Sequence, residues 1–149
     1  MASDAIKLAI FDFDGTLTTG HLWVGISQHH KIKKVNRLYL YTYFLSHIPF
    51  WIASKLRLYS DDKQRAKWGE DMSLLLKDFT REGAHQVFEW VVDNYFMPLM
   101  RADVLEVLNW HRQLDHKVMI LSGMFEELLG VVGQKIGADF VIGTRAEIV

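Results

Sequence analysis

The sequence contains no cysteine. That excludes a disulfide scaffold, a zinc ribbon and any thiol nucleophile, and it fits a reducing compartment. The first ten residues, MASDAIKLAI, lack the basic start and apolar core of a signal peptide, so a cytoplasmic location is expected. There is little net charge: 17 basic and 18 acidic residues leave −1, which argues against nucleic-acid binding driven by bulk charge. No internal repeat and no low-complexity linker is visible. The most telling absence is local, because no Asp or Glu occurs between Gly15 and Ser60.

That acid-free stretch carries Lys31, Lys33, Lys34, Arg37, Lys55 and Arg57 together with four histidines, so the remainder of the chain is markedly acidic. Within it, Leu38 to Ser54 reads LYLYTYFLSHIPFWIAS without a formal charge. The run is slightly short for a bilayer-spanning helix and is interrupted by His47 and Pro49. It suits helices packed on their neighbours. The basic, aromatic segment 31–59 is also suited to resting on a membrane surface. Composition is otherwise that of a folded domain: of 149 residues, 50% are hydrophobic and 13% aromatic. One core can be buried, and a disordered tail is excluded.

Three short apolar runs read as strands. Lys7–Phe13 (KLAIFDF) ends at Asp14-Gly15, Lys117–Leu121 (KVMIL) ends at Ser122-Gly123, and Phe140–Ile142 ends at Gly143. Helical periodicity fills the space between the first two. Trp68, Met72, Leu75, Leu76 and Phe79 form one stripe, and Phe88, Val91, Val92, Tyr95, Phe96 and Leu99 a second. Ser60 before Asp61 and Asp62 resembles an N-cap, and Pro98 suits a break after the second stripe. Further helices are expected over 102–114 and over the segment holding Phe125, Leu128, Leu129, Val132 and Ile136. This order predicts an α/β fold with a Rossmann-like parallel sheet. Residues 1–19 and 101–149 would form the core, and 20–100 a mostly helical cap inserted after the first strand.

Ligands of such sheets sit beyond the carboxyl ends of the strands, and Asp12, Asp14 and Ser122 fall there. Asp12 and Asp14 are two residues apart, and Gly15 allows the turn that brings them together. Paired carboxylates repel and invite a cation, and oxygen-only ligation suits Mg²⁺. One carboxylate oxygen could attack phosphorus to give an aspartyl phosphate, while the other acid protonates the leaving oxygen and then activates water. Ser122-Gly123, read as the opening of a helix, would supply an anion site. His21, His29, His30 and His47 lack convincing ligand spacing and are expected on surface or amphipathic positions. Trp23, Trp51 and Tyr59 are expected to pack, or to line a pocket.

FDFDGTLT followed by VMILSG resembles the haloacid dehalogenase superfamily of phosphohydrolases, and the insertion after the first motif resembles its helical-cap, phosphoserine-phosphatase-like branch. GADFVIGTRAEIV is similar to the segment after the second motif. The resemblance implies Asp12 as nucleophile and Asp14 as general acid/base. It also implies Thr16, Ser122 and the Gly123 N–H around the phosphate, with Mg²⁺ held by Asp12 and the carbonyl of Asp14. The substrate would be a small phosphorylated molecule. The family also uses a later lysine and an acidic pair after a fourth strand, which the 149 residues do not include. Lys135 is a poor substitute, and Asp139 lies at the wrong strand end. Gly15–His21 offers no acid to grip a substrate amine, so phosphoserine is not the expected substrate.

The expectation is therefore a Mg²⁺-dependent phosphatase, catalytically incomplete in this form, with weak turnover and poor Mg²⁺ affinity. The C-terminal strands would be missing, leaving the first strand with an open edge prone to self-association. Two other readings stay open. One is a non-catalytic member that keeps the fold for binding a partner or membrane surface. The other is an assembly in which a second chain completes the site.

Overall fold

The computed structural model describes residues 6–55 and 71–145. Three strands, β1 (Leu8–Phe11), β2 (Lys117–Phe125) and β3 (Phe140–Thr144), form one parallel sheet in the order β1-β2-β3. Leu8 to Phe11 align with Lys117 to Ile120, and Met119 to Leu121 with Phe140 to Ile142. Five α-helices accompany the sheet among the described residues: α1 (Leu22–Lys33), α2 (Arg37–Lys55), α3 (Arg81–Val91), α4 (Ala102–Gln113) and α5 (Glu126–Ile136). The fold is α/β, with a parallel open sheet as the apolar runs imply.

Partners across a parallel ladder point to the same face, and this sheet has two very different faces. Ala9, Phe11, Val118 and Ile120 are buried. On that side Phe11 meets the His111 ring of α4 at 6.1 Å, and Gly133 of α5 lies close to Val141 and Ile120. The alternate residues Leu8, Ile10, Leu121, Phe140 and Ile142 are exposed. Parallel sheets ordinarily have helices on both faces; among the described residues only one face is covered. There β1 pairs with β2 alone, so its other edge is open beside Asp12.

Between β1 and α4 the described residues are mostly helical. The helix at α3 begins where Thr80 Oγ1 accepts the Gly83 N–H at 3.1 Å, an N-cap. It runs on without a break into a π-helical turn (Val92–Phe96) and a 3₁₀ turn (Met97–Leu99) that contains Pro98. The wider turn sets Phe96 edge-on against Phe13 at 5.0 Å, joining this segment to the end of β1. Helix α1 lies so close to the same segment that a Cβ on Gly25 would stand 2.6 Å from Val91 Cγ1. The stripe expected around 68–79 takes a different form. Met72–Leu76 is a short 3₁₀ turn that buries Leu75, and it ends where Asp78 adopts φ 66°. Trp68, like Tyr59 and the suggested cap at Ser60, lies outside the described residues.

The histidines depart from expectation. His29, His30 and His47 are buried, not surface-lying. Their ring nitrogens are engaged inside the helical layer: His29 Nδ1 lies 3.1 Å from His30 Nδ1, His30 Nε2 lies 2.7 Å from the Leu75 carbonyl, and His47 Nδ1 lies 2.6 Å from the Tyr43 carbonyl. Polar rings of this kind can be buried where their nitrogens find partners inside the fold. Trp23 is half-buried, edge-on to Phe44, whereas Trp51 is exposed. No helix among the described residues is long and apolar enough to cross a membrane.

Candidate active site at the strand ends

The site begins where β1 stops. Phe13 is fully buried and anchors the chain, while Asp12 and Asp14 on either side of it open to solvent. Gly15 follows at φ 74°, a left-handed conformation that a side chain would strain. The turn is closed by backbone bonds from Gly15 N to the Thr18 carbonyl (2.9 Å) and from Leu17 N to the Phe13 carbonyl (3.0 Å). Thr16 Oγ1 donates to Asp12 Oδ2 at 3.1 Å. This bond occupies one oxygen of Asp12.

The chain leaving the site and the chain returning to it are tied together. Thr19 N donates to the Leu99 carbonyl (3.2 Å), and Arg101 N donates to the Leu17 carbonyl (2.9 Å). The Arg101 guanidinium also reaches the Gly15 carbonyl at 3.4 Å while pairing with Asp103. Sequence reasoning missed this residue, because an arginine ahead of a helix carries no signal of the loop it will hold.

Ser122 and Gly123 do not open a helix. Strand β2 continues through them to Phe125, which pairs with Thr144, and α5 begins at Glu126. Between Leu121 and Phe125 the ladder shifts register, so Ser122 and Gly123 lie in an irregular stretch of the strand. Thr144 Oγ1 donates to the Gly123 carbonyl at 2.8 Å. The N-terminus of α5 therefore lies beyond Ser122 and Gly123, which face the site from a strand. The hydroxyl itself is near the site: Ser122 Oγ accepts the Met124 N–H at 3.4 Å and lies close enough to the Asp14 carboxylate to favour its ionised form.

Asp12, Asp14, Thr16 and Ser122 thus form one cluster, with Gly123 adjacent and unobstructed: a Cβ there would meet nothing within 4 Å. Crowding by neighbouring protein pushes the Asp14 carboxyl above its usual range, and the negative charge of Asp12 pushes it further. His21 and the Ser122 hydrogen bond act in the opposite direction without cancelling the rise. His21 sits just ahead of α1, its backbone N–H donating to the Tyr95 hydroxyl at 3.1 Å. A pair of carboxylates of which Asp14 has a raised proton affinity suits both proton transfer and a hard cation. The donor chemistry fits Mg²⁺ in kind, though no group of three or more acidic, His or Cys side chains that could hold a metal occurs among the described residues.

Other charged candidates are accounted for elsewhere. Lys135 pairs with Asp93 on the helical layer. Asp139 bonds Lys117 Nζ at 2.7 Å and the Val118 N–H at 2.9 Å, at the amino ends of the strands. A cavity of about 1180 Å³, lined in part by Lys77, Arg81, Phe88, Phe125 and Glu126, includes none of the candidate residues.

The structure is similar to several solved ones. It matches a protein of unknown function from Bordetella pertussis Tohama I with TM-score 0.70 at 13% identity, covering 95% of this chain and 61% of that one. A substrate-bound phosphoserine phosphatase matches with TM-score 0.55 at 16% identity, covering 99% and 60%. A haloacid dehalogenase family hydrolase from Salmonella enterica serovar Typhi matches with TM-score 0.59 at 13% identity, covering 99% and 44%. The chain therefore spans about three-fifths or less of the length of these proteins. No curated protein sequence matches it. The family model for haloacid dehalogenase-like hydrolases matches residues 9–149, nearly the entire sequence and all of the site, and the chain belongs to that family.

Proposed function

We infer that the protein is a phosphomonoester hydrolase working through an aspartyl phosphate on Asp12. In this reading residues 1–19 and 101–149 are the catalytic core and 20–100 the cap. The observation that carries it is the strand-end cluster itself: two carboxylates facing one another at the end of β1, with Asp14 raised in proton affinity by burial and by Asp12, and the Ser122 hydroxyl beside it.

Thr16 holds Asp12 Oδ2, which leaves Oδ1 as the attacking atom. It forms a bond to phosphorus as the ester oxygen departs, and protonated Asp14 gives that oxygen its proton. Asp14, now ionised, takes a proton from water as the water attacks the phosphoryl group. The P–O bond to Asp12 breaks, inorganic phosphate leaves, and both acids return to their starting states. The Ser122 hydroxyl and the Gly123 N–H steady the phosphoryl oxygens. Asp12 and the Asp14 carbonyl would hold Mg²⁺, whose charge lets an anionic nucleophile approach an anionic ester.

The substrate is a small phosphorylated molecule. His21, not an acid, stands beside Asp14, so an amine on the leaving group finds no counter-charge there. Phosphoserine is accordingly not the proposed substrate. Hydrolysis of p-nitrophenyl phosphate with Mg²⁺, compared between wild type and Asp12→Asn, tests the reading. Slow, Mg²⁺-dependent release that disappears in the variant is the expected result. Release indifferent to the substitution would remove Asp12 from the chemistry and leave a binding protein.

A further inference from the structure

We propose that the outer face of α2 docks the protein on the surface of an anionic lipid bilayer. The helix is apolar on two sides. Leu40, Tyr43 and His47 point inward and are buried. Leu38, Tyr41, Leu45, Ile48 and Ile52 recur at steps of three and four residues on the opposite side, with exposures of 72, 67, 69, 49 and 47%. At about 100° per residue these five fall within an arc of roughly 80°. They form a continuous greasy ridge. An isolated exposed leucine requires no explanation, but a ridge along a whole helix does.

Charge selects what covers the ridge. Lys31, Lys33, Lys34 and Arg37 are exposed at its amino-terminal end, around the exposed Ile32, and Lys55 is exposed at the other end, over the Trp51 ring at 5.8 Å. No acidic residue occurs anywhere between Gly15 and Ser60. An apolar stripe bounded by lysine, arginine and tryptophan matches the acyl and headgroup layers of an anionic membrane. A second copy of the same face fits poorly, because it would set these cations against one another with no acid of α1 or α2 to pair them. Crossing is a separate matter, and α2 is not apolar enough for it. The geometry describes a helix lying in the interface, with the inward residues still packed on the protein.

Flotation of the full chain with vesicles tests this. It should rise with vesicles of phosphatidylcholine containing a quarter phosphatidylglycerol, stay behind with phosphatidylcholine alone, and be released by high salt. Leu45→Asp with Ile48→Asp should abolish flotation. Lys33→Glu with Lys34→Glu should reduce partitioning by about 25-fold or more, at roughly fivefold per cation removed. All four positions are exposed, and circular dichroism checks that the helices survive. Phe140→Glu, on the uncovered sheet face, should leave flotation unchanged. The proposal is overturned by equal binding to neutral and anionic vesicles, or by flotation that survives the α2 variants. It is also overturned by flotation that depends on Phe140, or by a dimer that Leu45→Asp dissociates in a chain that binds no vesicle.

Discussion

The strand ends and the helical layer treat their polar groups in opposite ways. In the helical layer, His29, His30 and His47 are buried and their rings are engaged with carbonyls and with one another. At the strand ends, Asp12 and Asp14 lie open to solvent, side by side, without a cation among the described residues to neutralise them. Buried polar groups must be satisfied or they cost stability. Repelling charges in reach of solvent cost stability as well, and they persist where a ligand or a reaction uses them. The contrast separates the residues that hold the fold from those proposed to carry its chemistry. Neither region owes this to residue type alone, since His and Asp could each serve either purpose.

The largest effect should fall on the strand ends. Asp14→Asn is expected to lower phosphatase turnover by about 10²–10⁴-fold, the usual worth of a general acid/base, while the thermal midpoint holds or rises because a repulsive pair has been relieved. Loss of folding without a specific rate effect would break the distinction. The helical layer should respond in the opposite way. His30→Ala removes a fully buried ring and its bond to the Leu75 carbonyl, and should cost about 2–4 kcal/mol in urea unfolding.

Acid should likewise act first on the helices. Burial, then His30 and Lys33, lower the His29 pKa from 6.5 to about 4. The fold therefore holds this ring neutral, and the unfolded chain takes up its proton first. That contribution to stability is complete above pH 6.5 and lost as pH falls through about 4. Unfolding curves recorded across this window should show the decline, and His29→Gln should flatten it. The smallest effect is expected for Lys135→Met. Its exposed pairing with Asp93 should be worth about 0–1 kcal/mol, with no change in turnover; a large rate loss would return Lys135 to the site.

Much of this was legible in the sequence because it depends on neighbours along the chain. The strands showed as apolar runs, and DFDGT placed two acids at a strand end with a glycine to turn them. The extension of β2 through Ser122 and Gly123 was not legible, because it is set by pairing of Phe125 with Thr144, a contact distant in sequence. A Ser-Gly pair after an apolar run looks locally like the end of a strand. The 3₁₀ turn at Met72–Leu76 was hidden for a similar reason. It ends at Asp78, whose carboxylate accepts from the Tyr39 hydroxyl of α2 at 2.6 Å. Burial of His29 and His30 was equally hidden: α1 has little one-sided apolar pattern, and the rings acquire partners only when Leu75 and Trp90 close over them. Local pattern identified the family and the candidate residues; long-range packing decided how each piece was held.

The central claim is that Asp12, and no other residue, accepts the phosphoryl group. Incubation with acetyl phosphate and Mg²⁺, followed by borohydride reduction, converts an aspartyl phosphate to homoserine, which peptide mass mapping locates. Homoserine at position 12 alone, and none in Asp12→Asn, is the predicted result. Homoserine at position 14, or none at position 12, would contradict it.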